Sequence, residues 1–84
     1  MTNVRVLVLY FAAAKEAAGL SSEVMDLPEG TTVAALVEIV SRAHPAVARL
    51  APSLRVAVDE KFAPSAQVLE SGDTFALLPP ASGG

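Results

Sequence analysis

Val4 to Phe11 (VRVLVLYF) is β-branched, leucine-rich and aromatic, which predicts a strand. Only Arg5 interrupts its apolar character, so the expected place is mid-sheet with both faces covered. Ala12 to Ala18 (AAAKEAA) switches to strong helix formers and Gly19 suits the position after a helix end, predicting a short helix. Ser22 to Leu27 reads as a second strand, and Pro28-Glu29-Gly30 is turn chemistry. Thr31 or Thr32 then caps a longer helix, in which Val33, Leu36, Val37 and Val40 form one apolar stripe. Pro45 is expected to stop that helix after His44.

The second half is shorter in its rhythms. Ala46 to Ser53 is a connection with room for one helical turn, and Leu54 to Val58 alternates as a strand. Asp59-Glu60 turns it into Lys61-Phe62, and Ala63 to Leu69 is irregular. Glu70 to Asp73 is a turn before the last strand, Thr74 to Leu78 (TFALL). These elements predict an α+β roll, a mixed four- to five-stranded sheet packed on one main helix. Its first and last strands, the most apolar, lie side by side and parallel in the centre. Residues 1–78 form this one domain and residues 79–84 a flexible tail.

A single helix covers a single sheet face. Phe75, Leu77 and Leu78 on the last strand, added to the first strand, leave apolar surface over. Either the short helix and the Ala63–Leu69 segment cover it, or a protein partner does.

Composition narrows the chemistry. Of the 84 residues 52% are hydrophobic, enough for a core, and the net charge of −3 argues against nucleic acid as the partner. Without cysteine there is no thiol nucleophile, redox pair or Cys-based zinc site, and stability must come from packing or from a partner. The lone His44 argues against a His-based metal site and is better placed to interact with the helix dipole. No apolar run is long enough to span a bilayer and no signal peptide is visible, so a cytoplasmic location is expected. The seven serines lack a GxSxG context, Asp59 and Glu60 read as a solvated turn, and the internal glycines are isolated.

What remains is the end of the sequence. Pro79-Pro80 favours extended backbone, and Ala81-Ser82-Gly83-Gly84 adds neither bulk nor side-chain charge. At about 3.1 Å per residue such a tail reaches about 19 Å. Glycines without Cβ let it thread a narrow pocket and present a main-chain carboxylate to another protein. A frayed end is the bland alternative.

Leu9-Tyr10-Phe11-Ala12-Ala13-Ala14-Lys15-Glu16, Leu27-Pro28-Glu29-Gly30-Thr31-Thr32-Val33, Val56-Ala57-Val58-Asp59-Glu60 and Gly72-Asp73-Thr74-Phe75-Ala76-Leu77-Leu78-Pro79-Pro80-Ala81-Ser82-Gly83-Gly84 together resemble the small subunit of molybdopterin synthase. That family belongs to the ubiquitin-like sulfur carriers. Asp59 stands where Asn is usual, and Leu77-Leu78 where aromatics are frequent. The resemblance implies a β-grasp fold and a carrier that is non-catalytic on its own. An ATP-dependent enzyme adenylates the Gly84 carboxylate, and sulfur then replaces the adenylate to give a thiocarboxylate, with Gly83 preceding it. The large subunit, in a two-plus-two assembly, uses that sulfur on a cyclic pyranopterin precursor of the molybdenum cofactor. By the same resemblance no permanently held cofactor is expected. Partner contacts are implied for Phe11, Lys15, Phe75, Leu77 and Leu78, and for the tail residues Pro79, Pro80, Ala81 and Ser82. A thiamine-thiazole sulfur carrier, a ubiquitin-like protein modifier and a pure interaction module are the competing readings.

Overall fold

In the computed structural model, which describes residues 2–80, β1 (Asn3–Tyr10) alternates strictly between buried and more exposed positions. Val4, Val6, Val8 and Tyr10 point inward, whereas Arg5, Leu7 and Leu9 point away from the core. The expected covering of both faces therefore fails: one face is packed and the other is open. A turn at Phe11–Ala12 leads into α1 (Ala13–Ala18), which ends on Gly19 at φ 79°. β2 (Ser22–Pro28) returns antiparallel to β1.

The main helix α2 (Val33–Ala43) is capped as its sequence predicts: the Thr32 hydroxyl accepts from the Ala35 N–H at 3.1 Å. Two more of its free N–H groups, those of Val33 and Ala34, donate to the carbonyls of Gln67 and Ser65. The irregular Ala63–Leu69 segment is thus tied to the N-terminus of α2, with Leu69 in the core, and leaves the open sheet face bare. Val33, Leu36 and Val40 are buried and share a core with Val6, Val8, Phe75 and Leu77, while Val37 packs at its margin.

Pro45 ends α2 but opens a third helix, α3 (Pro45–Leu50), followed by a 3₁₀ turn over Ala51–Ser53. The missing N–H of proline removes nothing at a first helical position, so one residue both breaks and starts. α3 buries Val47 and packs with α1 and α2 on the same side of the sheet. The chain then forms β3 (Arg55–Val58), β4 (Lys61–Phe62) and β5 (Thr74–Leu78).

The five strands run in the order β2-β1-β5-β3-β4. β1 and β5 are adjacent and parallel, as expected, with Leu7 opposite Thr74 and Tyr10 opposite Leu77. This mixed sheet grasping a helix on one face is the β-grasp architecture.

Candidate functional site

Strand register decides which side chains reach the open face. Leu9 on β1, Ala76 on β5 and Ala57 on β3 lie in neighbouring positions across three strands, and Phe62 on β4 lies opposite Ala57. Two alanines between larger apolar neighbours leave a depression. The result is a groove of about 480 Å³ lined by Leu9, Phe11, Ala57, Phe62, Ala76 and Leu78, with Asp59, Glu60 and Thr74 at its rim. Phe62 is 68% exposed and Phe11 is 43% exposed, large costs for aromatic surface left in water.

Leu78 is the last residue of β5 and half-buried in this groove, so the chain leaves the sheet from the groove's edge. Pro79 and Pro80 follow, exposed and outside regular structure. Neither has an N–H to continue the ladder. Ala81, Ser82, Gly83 and Gly84 lie outside the described residues.

The expected partner residues divide. Phe11 and Leu78 are brought together at the groove. Phe75 and Leu77 are not surface residues: they are 0% and 1% exposed and belong to the core under the helices. The period of two on β5 is the reason, since only Thr74, Ala76 and Leu78 share the open face. Lys15 is exposed on α1 and lines a separate shallow depression with Ala12, Ala13 and Glu16, outside the groove.

The groove's frame contains unusual backbone. Ala12 adopts φ 51° and ψ −124°, a conformation that glycine takes without strain. For alanine it costs about 1–3 kcal/mol. It directs the chain into α1 just after the Phe11 N–H has bonded the Leu77 carbonyl at 3.3 Å. Asp59 and Glu60 also have positive φ, 50° and 71°, the signature of the mirror-image two-residue hairpin turn. Asp59 offsets part of that strain: its Oδ1 accepts the Thr74 N–H at 2.9 Å, tying the β3–β4 turn to the start of β5.

Charges on the open face are sparse. Arg5 and Asp26 pair across β1 and β2, with Arg5 Nε 2.9 Å from Asp26 Oδ1. The hydrogen bond from Arg5 holds the Asp26 carboxyl below its ordinary value. Arg55 lies over the Phe62 ring, its guanidinium carbon 5.4 Å from the centroid.

The helix side carries a polar cluster that sequence reasoning missed. The Tyr10 hydroxyl donates to Glu23 Oε2 at 2.5 Å, and His44 Nε2 lies 2.7 Å from the same oxygen. The rings of Tyr10 and His44 meet edge to face at 5.6 Å. Burial, then the bond to Glu23, pushes the Tyr10 hydroxyl far above its ordinary value. Burial pushes Glu23 up, but hydrogen bonds from Tyr10 and His44 outweigh it and leave its carboxyl lowered. His44 does end α2, as expected, yet its ring serves Glu23 on β2. Only the register pairing Val8 with Glu23 puts these groups together. Among the described residues, no group of three or more His, Cys, Asp and Glu side chains could hold a metal. No helix among them is long and apolar enough to cross a membrane.

The apolar groove reaches Leu78, the last strand residue before Pro79 and Pro80. The model of the ThiS family matches residues 8–84, from β1 through Gly83 and Gly84. The chain belongs to the ThiS family. A molybdopterin synthase sulfur carrier subunit from Mycobacterium tuberculosis is 33% identical over 96% of this chain and 99% of its own length. The human protein of the same description is 32% identical over 95% of this chain and 94% of its own. Among solved structures, small archaeal modifier protein 1 from Haloferax volcanii superposes with a TM-score of 0.82 at 26% identity, covering 93% of this chain and 99% of that one.

Proposed function

We propose that this protein is a sulfur carrier, the small subunit of a molybdopterin synthase, and that Gly84 carries the sulfur as a C-terminal thiocarboxylate. The observation that carries the reading is the continuity of the open apolar groove with Leu78 and the Pro79-Pro80 root of a tail whose family match runs through Gly84. Relatives described as molybdopterin synthase sulfur carrier subunits support the pathway.

The chemistry follows from what the chain lacks. With no cysteine, sulfur can be held covalently only at an acyl carbon. A carboxylate is a poor acyl donor, so an ATP-dependent partner first makes it one. A carboxylate oxygen attacks the α-phosphorus of ATP, pyrophosphate leaves, and the mixed anhydride carries AMP as its leaving group. Hydrosulfide attacks the acyl carbon, the bond to AMP breaks and AMP departs, the sulfur's proton passes to water, and the thiocarboxylate remains. The large synthase subunit, in a two-plus-two assembly, takes the tail into its active site, where the sulfur passes to a cyclic pyranopterin precursor. This chain supplies the docking face, the reach and the acyl group, and catalyses nothing alone.

Reconstitution with the activating enzyme, ATP, a sulfur source, the large subunit and the pterin precursor tests the reading. Deletion of Gly84 should abolish dithiolene formation while leaving the far-UV circular dichroism unchanged. Sulfur transfer by the deletion variant would overturn it. A protein modifier is the second reading, favoured by the likeness to small archaeal modifier protein 1. It predicts isopeptide conjugates through Gly84 that survive thiol reductants.

A further inference from the structure

The groove has two chemically different ends. β3 runs antiparallel to β5, so Arg55 pairs with Leu78 at the tail root, while the Asp59-Glu60 turn lies beside Thr74 at the opposite end. At about 3.3 Å per residue the two ends are about 13–17 Å apart. That exceeds the screening length of about 8 Å at physiological salt, so they act as separate poles.

Both poles are open to a partner. Among the described residues neither Arg55 nor Glu60 forms an ion pair, and both are exposed. Arg55 borders the groove through Phe62, a groove wall, with its guanidinium carbon 5.4 Å from that ring's centroid. Asp59 already spends one oxygen on Thr74, so Glu60 is the freer carboxylate.

We infer that this groove receives its protein partner in one orientation, fixed by Arg55 at the tail end and Glu60 at the far end. The complementary surface is an apolar ridge with an acidic residue where the tail enters and a basic residue at its other end. Rim charges of this kind set encounter rate and register more than final affinity. Here the register has a consequence, because the reversed orientation points Leu78 and the tail away from the partner's pocket. The inference rests on the proposed docking of the large synthase subunit.

The test is stopped-flow association with that subunit, comparing wild type, Arg55→Met, Leu78→Asp and the swap Arg55→Glu/Glu60→Arg. The swap keeps the net charge and reverses only the polarity. It should slow association about tenfold or more at low salt, with the difference shrinking near 0.5 M salt. Arg55→Met, which keeps an apolar stem against Phe62, should slow it several-fold. A swap variant that associates like wild type would overturn the inference. The same comparison in chains lacking Gly83 and Gly84 should give the same ratios. Ratios that collapse to one there would overturn it too, by assigning Arg55 to the chain's own terminal carboxylate. The docking face itself is judged separately: if Leu78→Asp binds like wild type, or wild type does not bind, the partner reading falls and the polarity with it.

Discussion

Replacing Tyr10 by Phe removes one hydroxyl from a side chain that is 1% exposed and leaves its ring packing intact. That hydroxyl donates to Glu23 Oε2, which also receives His44. A hydrogen bond to a charged group contributes about 1.5–3 kcal/mol. The Glu23 side chain is 26% exposed, so water replaces part of the lost bond and the expected loss is about 1–2 kcal/mol at pH 7. Against a total of about 4–13 kcal/mol for a chain of this length, that shift is easily measured by urea denaturation. Its pH dependence carries the sharper test. The folded state holds Glu23 below its ordinary value of 4.5, so the contribution is complete above that pH and is lost as the pH falls through the folded value. The gap between wild type and Tyr10→Phe should therefore be widest near neutrality and narrow below about pH 4.5. Asp26 is also lowered, by Arg5, but it is present in both proteins and cancels in the difference. A gap below about 0.5 kcal/mol at pH 7, or one that stays constant down to about pH 3, would refute a charge-assisted bond between Tyr10 and Glu23.

Leu36→Ala empties a fully buried site on α2 and should cost about 2–5 kcal/mol in the same denaturation assay. Glu60→Gly relieves a positive φ of 71° and should raise stability by about 0.5–1 kcal/mol, net of the greater freedom of glycine in the unfolded chain; a loss of stability would speak against the mirror-image turn. Leu78→Asp should leave the thermal midpoint within a few degrees of wild type, because Leu78 is on the open face, yet weaken large-subunit binding at least tenfold in a titration.

Elements with a strong local signal were readable from the sequence. The stripe Val33, Leu36 and Val40 with Thr32 before it specifies α2 and its cap without reference to any other segment. The apolar first and last strands were correctly expected to pair. Features that depend on register were not readable. Phe75 and Leu77 look like surplus apolar residues until β5 is laid against β1, when the period of two sends them inward and leaves Ala76 and Leu78 outside. Arg5 alone interrupts β1, so Leu7 and Leu9 gave no sign that they share its open face. Glu23, Tyr10 and His44 stand on three different elements, and no spacing in sequence brings them together. Pro45 was read only as a breaker, although proline is equally suited to open the next helix. Of the groove's lining, Phe11 and Leu78 had been singled out in the sequence; Ala57, Phe62 and Ala76, which give it its floor and wall, had not. Small residues announce a depression only once their neighbours are known.

Intact-mass spectrometry of this chain after incubation with the activating enzyme, ATP and a sulfur donor tests the central claim most directly. The account predicts a gain equal to the difference between sulfur and oxygen, mapped to Gly84 in the C-terminal peptide and absent when ATP is withheld. An unchanged mass, or a gain that maps elsewhere in the chain, would contradict it.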